Sequence, residues 1–335
     1  MTSHGTEAIT SDAHRPTCAL AAITGPSGFI GSHVTAHLAE IGYRVRALVH
    51  RHPLEPTVAC HVDGVVHGSL SDSHSLAELV RGAQVVVHIG GLIRGSSRRK
   101  FLEVNAEGTR RLAEAVIREN PDRPPRFILI SSLAARVPEV SPYARSKRAG
   151  ETMLEQAAGG RLAWTVLRPP AVYGPGDLET LRLARLVSFG IAPHLGTEQA
   201  RFSLLHVDDL ASAIGDIVKS PSAIARTYEL DDGTVGGHSW DSVFRTIGRG
   251  LGTNPARVHL PRAVLSTAAG LIALLSRAVA HEPMLTPGKV AELAYPDWRC
   301  DNTAINRDTG WYPRTSLAEA LPAIVHWARE KGLLP

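Results

Sequence analysis

The sequence predicts an α/β fold: a parallel sheet covered by helices on both faces, followed by a smaller, mostly helical C-terminal lobe. Three observations predict it. From Cys18 to Arg168, short apolar runs alternate with helix-patterned runs. The strand-like runs are apolar throughout, as strands buried on both faces must be. And the first run passes into the first helix through "TGPSGFIG", with Gly25, Gly28 and Gly31 where a strand should meet a helix. Gly is costly inside either element, so three together mean that something approaches the backbone there.

Taken in order, "CALAAIT" reads as the first buried strand and "FIGSHVTAHLAEIG" as a helix ending at Gly42. "YRVRALV" is the second strand, "DGVVHGSL" a short apolar run, "LAELVRG" a helix, and "AQVVVHIGG" a β-branched strand. "FLEVNAEGTRRLAEAVIREN" predicts one long helix ending before Pro121. "RFILISS", "YARSKRAGETMLEQAA" and "LAWTVLRP" follow as strand, helix and strand. After Pro169 the pattern loosens into short helices and strands. The expected organisation is a disordered tail over 1–17 and a dinucleotide-binding, doubly wound domain over 18–176, to which 202–231 returns. The segments 177–201 and 232–335 then form a substrate lobe.

Composition narrows the function. The 335 residues are 44% apolar and 20% charged, ordinary for a globular chain. Net charge is +4 and the positive residues are scattered, with one short cluster at Arg98, Arg99 and Lys100, so no nucleic-acid face is indicated. Three widely spaced cysteines (Cys18, Cys60, Cys300) read as reduced thiols of a cytoplasmic protein. The first seventeen residues have no apolar h-region, so no secretory signal is expected. The run Ala263–Ala280 is too short and too interrupted to span a bilayer; it reads as a buried amphipathic helix, with docking on a membrane surface as the lesser reading. Sixteen histidines include "HRH" at 50–52 and "CH" at 60–61, but no H-E-x-x-H or paired C-x-x-C, and no functional metal is expected.

The glycine loop points to a dinucleotide. One Gly makes the turn, another lets the backbone meet a pyrophosphate, and a third lets helix and strand pack closely. The helix N-terminus then offers unpaired N–H groups to the phosphates. The end of the second strand separates the two nicotinamide cofactors. Val49 stands where an acidic residue would bond a ribose 2′-OH, and His50 and Arg51 follow. With no carboxylate there and a guanidinium available, NADP(H) is favoured and NAD(H) stays open.

Chemistry is carried by Ser131 and Ser132 at a strand end, then Tyr143 and Lys147 in "SPYARSKRAGE". Tyr and Lys at i and i+4 share a helix face. An ammonium beside a phenol favours the phenolate, so Lys147 is expected to lower the Tyr143 pKa and make it a usable acid/base. A strand-end serine can hold the substrate oxygen beside it.

The order of these motifs resembles the extended short-chain dehydrogenase/reductase family, the NAD(P)-dependent epimerase/dehydratase superfamily, over roughly 19–329. "TGPSGFIG" resembles its cofactor loop, "HGSLSD" its G-D-L-x-D element with Ser69 for the first Asp, and "VVHIGG" its V-x-H-x-A-A strand end. "EVNAEGT" is similar to V-N-x-x-G-T, "LRPPAVYGPGD" to the loop that covers the nicotinamide, and "HVDDLASA" to the V-D-D-x-A segment. The resemblance implies that Ser132, Tyr143 and Lys147 are catalytic. Tyr143 would carry the proton, Lys147 would tune it and hold the ribose, and Ser132 would orient the carbonyl. It places the cofactor against Gly25, Ser27, Gly28, Phe29, Ile30, Gly31, His50, Arg51, Ser69, Leu70, Ile89, Gly90, Gly91, Asn105, Ser131, Tyr143, Lys147, Pro169, Pro170 and Val172. Structural roles stand beside these: packing for Ser131, a backbone bond in a bent helix for Asn105, helix capping for Asp208 and Asp209.

The R-D-(F/Y) element of sugar-nucleotide members is missing from "ARFSLLHVDD", and the C-terminal region resembles the 3β-hydroxysteroid dehydrogenase-like branch in layout. The expected activity is therefore hydride transfer between NADP(H) and a small apolar ketone or secondary alcohol. A sugar-nucleotide epimerase or dehydratase is the alternative, and a non-enzymatic dinucleotide sensor a more distant one. Part of the 263–280 helix, with Met284 and Leu285, is expected to wall the substrate pocket or to pair in a homodimer.

Overall fold

The computed structural model describes residues 19–95, 97–195, 197–260, 267 and 286–334. The tail 1–17, Cys18, the helix expected over 263–280 apart from Thr267, and Met284 and Leu285 lie outside the described residues.

Seven parallel strands form the central sheet. They are β1 (Leu20–Thr24), β2 (Arg44–Val49), β3 (Gly64–His67), β4 (Val85–His88), β5 (Arg126–Ile130), β6 (Trp164–Arg168) and, later in the chain, Arg226–Glu229. That last strand pairs with β6, and the order across the sheet is Arg226–Glu229, β6, β5, β4, β1, β2, β3. The chain thus winds outward in both directions from β1 and β4, and the carboxyl ends of these two strands flank the point where the order reverses.

Alternate residues of each strand feed two cores. Ala21, Ile23, Val45 and Ala47 pack on one face against Val34 and Leu38 of α1 (Phe29–Glu40) and Leu210, Ile214 and Ile217 of the helix Val207–Lys219. Ala22, Leu48 and Val86 pack on the other. Their partners there are Leu76 and Leu79 of α2 (Ser73–Val80), Leu112 and Val116 of α3 (Gly108–Glu119), and Leu154 of α4 (Pro142–Ala158). A third core, around Tyr173, Leu181, Phe244, Ile247, Leu321 and Ile324, belongs to helices Leu178–Ser188, Trp240–Leu251 and Leu317–Glu330 beyond the sheet.

One expected element differs. The long helix through Asn105 is not continuous: Arg98–Leu102 leads into a π-helical turn, Glu103–Glu107, before α3 begins. The Asn105 side chain explains the wide turn. Its Oδ1 accepts from the Leu92 amide at 2.7 Å, and its Nδ2 donates to the Leu92 carbonyl at 2.9 Å. Such turns mark sites where a helix is deformed to aim one residue.

Candidate active site

The glycine loop is shaped by close approach. Gly25 has φ +75°, and a Cβ there would lie 2.8 Å from the Gly90 nitrogen. A Cβ on Gly31 would lie 1.9 Å from the Gly25 carbonyl oxygen, so this helix can start only on a glycine at that position. Gly28, by contrast, meets nothing closer than 3.5 Å and is exposed with Ser27. It caps α1 without a side-chain hydrogen bond, and the first turn carries no acidic residue. Open amides, positive dipole and absent carboxylates fit a pyrophosphate. The Phe29 ring lies 5.7 Å from the His33 ring, edge to face, and Ile30 packs on the core. These two residues therefore have only their amides to offer the loop.

The remaining candidates spread along the carboxyl edge of the sheet. His50 and Arg51 are exposed after the buried Val49 of β2. Beyond β3, the Ser69 hydroxyl lies 2.8 Å from that of Ser71, and Leu70 packs on Gly108. After β4, the Gly90 amide donates to the Thr24 hydroxyl at 3.1 Å. A Cβ on Gly91 would lie 2.9 Å from Asn105 Oδ1 and 3.7 Å from Lys147 Nζ, so Gly91, Asn105 and Lys147 meet. The Pro169 carbonyl accepts from the Leu133 amide at 2.8 Å, which ties the loop after β6 to Ser132's turn; Pro170 is half-buried in that loop, and Val172 is half-buried in the short strand Ala171–Tyr173 that follows.

Ser132 and Tyr143 come together: the serine hydroxyl lies near enough to the phenol to act on its pKa, and it accepts from the Ala134 amide at 3.2 Å. Tyr143 lies in the first turn of α4, which Ser141 caps by accepting from the Ala144 amide at 2.9 Å. The Phe101 ring packs edge-on at 6.1 Å from it. Lys147, one turn on and buried, donates to the Ile130 carbonyl at 2.8 Å. Its ammonium is thus drawn to the end of β5.

The expected lowering of the Tyr143 pKa is corrected here. Burial pushes the phenol up from its ordinary value; the nearby Ser132 hydroxyl opposes the rise and the Glu292 charge adds to it. Lys147 moves the other way. Burial brings its ammonium down to about 8, against the support of Glu151. With Nζ bonded to a carbonyl at the end of β5, Lys147 does not offset the burial of the phenol, which stays protonated. A protonated phenol is the form that can give a proton to a carbonyl oxygen.

Behind this group lies a small cleft lined by His88, Gly90, Asn105, Thr109, Ser131 and Lys147, among others. His88 bridges two hydroxyls, Thr24 at 2.7 Å and Thr109 at 3.1 Å. Burial, with the Lys147 charge, holds its pKa at about 3, so the imidazole is neutral. Ser131 does more than pack: it donates to buried Glu151 at 2.5 Å, and Glu151 takes a two-pronged bond from Arg168 at 2.9 and 2.6 Å. Sequence reasoning missed Glu151 and Arg168. The one available signal was that Glu151 follows Lys147 by four residues, on the same helix face. Glu292 was missed as well; it accepts from the Ser141 hydroxyl.

Asp208 and Asp209 do not cap their helix by side chain; His206 does, accepting from the Asp208 amide at 3.4 Å. Asp208 instead pairs with His33 at 2.6 Å, and Asp209 accepts from the Arg314 and Thr315 amides at 3.1 and 2.9 Å. Cys60 and Cys300 are reduced thiols. Among the described residues no group of three His, Cys, Asp or Glu is placed to hold a metal, and no helix is long and apolar enough to cross a membrane.

Comparison with known proteins agrees with this geometry. Residues 21–230 match the NAD dependent epimerase/dehydratase family. A ceramide reductase of Caulobacter vibrioides is 35% identical over 314 residues, 94% of this chain and 96% of that protein. A 2-alkyl-3-oxoalkanoate reductase of Stenotrophomonas maltophilia is 24% identical over 89% of this chain and 96% of its own. Among solved structures, a UDP-glucose 4-epimerase of Thermotoga maritima with UDP-glucose superposes with a TM-score of 0.74 at 21% identity, covering 93% of this chain and 99% of that one; this shows the shared fold. With the bare glycine cradle after β1 and the serine, tyrosine and lysine gathered past β5, two strands away, the chain belongs to the NAD-dependent epimerase/dehydratase family, within the extended short-chain dehydrogenase/reductases, and is an NAD(P)-dependent enzyme.

Proposed function

We propose that this protein is an NADP(H)-preferring reductase of a hydrophobic, long-chain ketone, with the secondary alcohol as product. The observation that carries the reading is the protonated, half-buried Tyr143 beside Ser132, in a chain that matches a ceramide reductase over 94% of its length. The bound nicotinamide would supply the hydride. Ser132 holds the substrate oxygen against the Tyr143 hydroxyl, Tyr143 gives its proton to that oxygen, and Lys147 fixes the ribose beside Gly91 and Asn105. His50 and Arg51, exposed just after Val49, which stands where an acidic residue would select NAD, favour the 2′-phosphate. The lobe made of 177–201 and 232–335 is the proposed ketone-binding part, and the compartment proposed is the cytoplasm. A sugar nucleotide is disfavoured by "ARFSLLHVDD", which lacks the acidic–aromatic pair before the V-D-D segment.

The test is turnover. NADPH and NADH are each offered with an N-acyl amino ketone related to ceramide and with a 2-alkyl-3-oxoalkanoate, read by cofactor oxidation; UDP-sugars are offered with each cofactor and read by product analysis, because epimerisation and dehydration return the hydride. Turnover of a long-chain ketone with NADPH is expected. Turnover of UDP-sugars alone, or faster turnover with NADH, would overturn the reading.

A further inference from the structure

Glu151 lies 2% exposed beneath the site, on the same helix as Tyr143 and Lys147. A buried carboxylate is costly unless its oxygens are satisfied. Here each is. Oε1 accepts from Ser131 at 2.5 Å and from Arg168 Nε at 2.9 Å; Oε2 accepts from Arg168 Nη2 at 2.6 Å and from Arg148 at 3.4 Å. Three elements therefore converge on one side chain: α4, the end of β5 through Ser131, and the end of β6 through Arg168. The arrangement extends outward. Arg168 reaches Glu229 at 3.6 Å, and Glu229 pairs with Arg136 at 3.2 Å. Arg136 in turn donates to the carbonyls of Asp297 and Arg299 at 3.0 and 2.8 Å.

Ser131 stands between Ile130, whose carbonyl receives the Lys147 ammonium, and Ser132, whose hydroxyl adjoins Tyr143. We propose that Glu151 is a positioning residue for the reaction. By gripping Ser131 and Arg168 it fixes the end of β5, and so sets where Ser132 and the Lys147 ammonium stand relative to Tyr143. The proposal rests on the reading that Lys147 is catalytic.

The same carboxylate acts on Lys147 by charge. The ammonium faces Glu151 from its own helix, neutral His88 from β4, the Asn105 side chain from the π-helical turn and the Ile130 carbonyl from β5. Burial pulls the Lys147 pKa down and Glu151 opposes it, leaving it at about 8. A step that needs the ammonium is lost as pH rises through that value. Removing the carboxylate charge removes the support, so this loss must begin at lower pH.

The experiment measures kcat/KM against pH, from about 6 to about 10, for the full chain with NADPH and the ketone it turns over. Glu151→Gln should move the alkaline limb down by about one pH unit and lower kcat about tenfold on the acid side, with the KM for NADPH little changed. Glu151→Asp keeps the charge but cannot span Ser131 and Arg168 together. Its limb should stay near that of the unmodified protein while kcat still falls about tenfold, and it serves alone if Glu151→Gln does not fold. A merely structural carboxylate would lower the melting temperature and leave both limb and kcat in place, which would overturn the proposal. Lys147→Met should remove the limb and most of the activity. If it keeps both, the catalytic reading of Lys147 fails and takes the proposal with it. If it loses both while Glu151→Gln and Glu151→Asp behave as the unmodified protein, the proposal alone fails.

Discussion

From Thr24 to Gly31 the site is made of backbone; from Ile130 to Glu151 it is made of side chains. In the first region the walls are glycines, the cap of α1 has no side-chain hydrogen bond, and Ser27 and Gly28 face solvent. In the second, Ser131, Lys147 and Glu151 are buried and bonded to one another or to strand carbonyls. The contrast follows from the two tasks. A pyrophosphate is held by amides that need only be uncovered and correctly curved. A proton donor needs its pKa and aim set by neighbours in a water-poor setting, where a misplaced group costs most. The two regions should therefore break differently: the loop by sterics, the side-chain region by loss of single polar atoms.

The largest effect belongs to the loop. Gly31→Ala puts a methyl 1.9 Å from the Gly25 carbonyl oxygen, where backbone has to move. We expect at least a hundredfold loss of cofactor affinity and a destabilisation of about 3 kcal/mol, read by fluorescence titration and thermal melting. Unchanged affinity would mean that the loop is not shaped by this contact. Next comes Tyr143→Phe, which keeps the ring against Phe101 and removes the hydroxyl beside Ser132. We expect turnover to fall about 100-fold or more with NADPH affinity nearly intact. Equal losses of both would show that the side-chain region, too, works through shape.

The contrast also accounts for what could be read in the sequence. Gly25 and Gly31 declare a backbone requirement through residue type alone, and the apolar runs of β1, β4, β5 and β6 declare burial on two faces. The spacing of Tyr143 and Lys147 is local and survives as helix geometry. Glu151 and Arg168 were not legible, because their meaning lies in a meeting of residues from α4, β5 and β6 that no local pattern encodes. The Tyr143 pKa direction was wrong for a related reason. Helical spacing gives proximity to Lys147, while burial and the Ile130 carbonyl, both tertiary, decide where the ammonium goes. The π-helical turn at Asn105 is another such case, since its cause is the Leu92 backbone thirteen residues earlier.

A smaller effect is expected at the open end of the cofactor site. Arg51 is exposed after β2, so Arg51→Ala should leave folding unchanged. Loss of a bond to a charged 2′-phosphate should weaken NADPH about tenfold to a hundredfold and spare NADH. Equal weakening of both cofactors would point to general electrostatics in place of phosphate recognition, and no change would return Arg51 to a solvated loop.

The smallest effect sharpens the side-chain half of the comparison through acid stability. His88 is 1% exposed, its two ring nitrogens are taken up by Thr24 and Thr109, and its folded pKa is about 3 against 6.5 for an ordinary imidazole. Between those two values the unfolded chain binds a proton that the folded chain refuses. Stability therefore rises with pH across this window and falls on acidification, by at most about 1.4 kcal/mol per pH unit from this one group. Above 6.5 both states hold the neutral ring and the contribution is flat. Urea unfolding at several pH values, for the unmodified protein and for His88→Gln, isolates it. The glutamine amide can still meet the two threonine hydroxyls but does not titrate. The variant should be less stable at neutral pH and lose less on acidification, so that the two curves converge as pH falls. Parallel curves would mean that the buried network tolerates a charged His88. The water-poor character assigned to this half of the site would then be wrong at its centre.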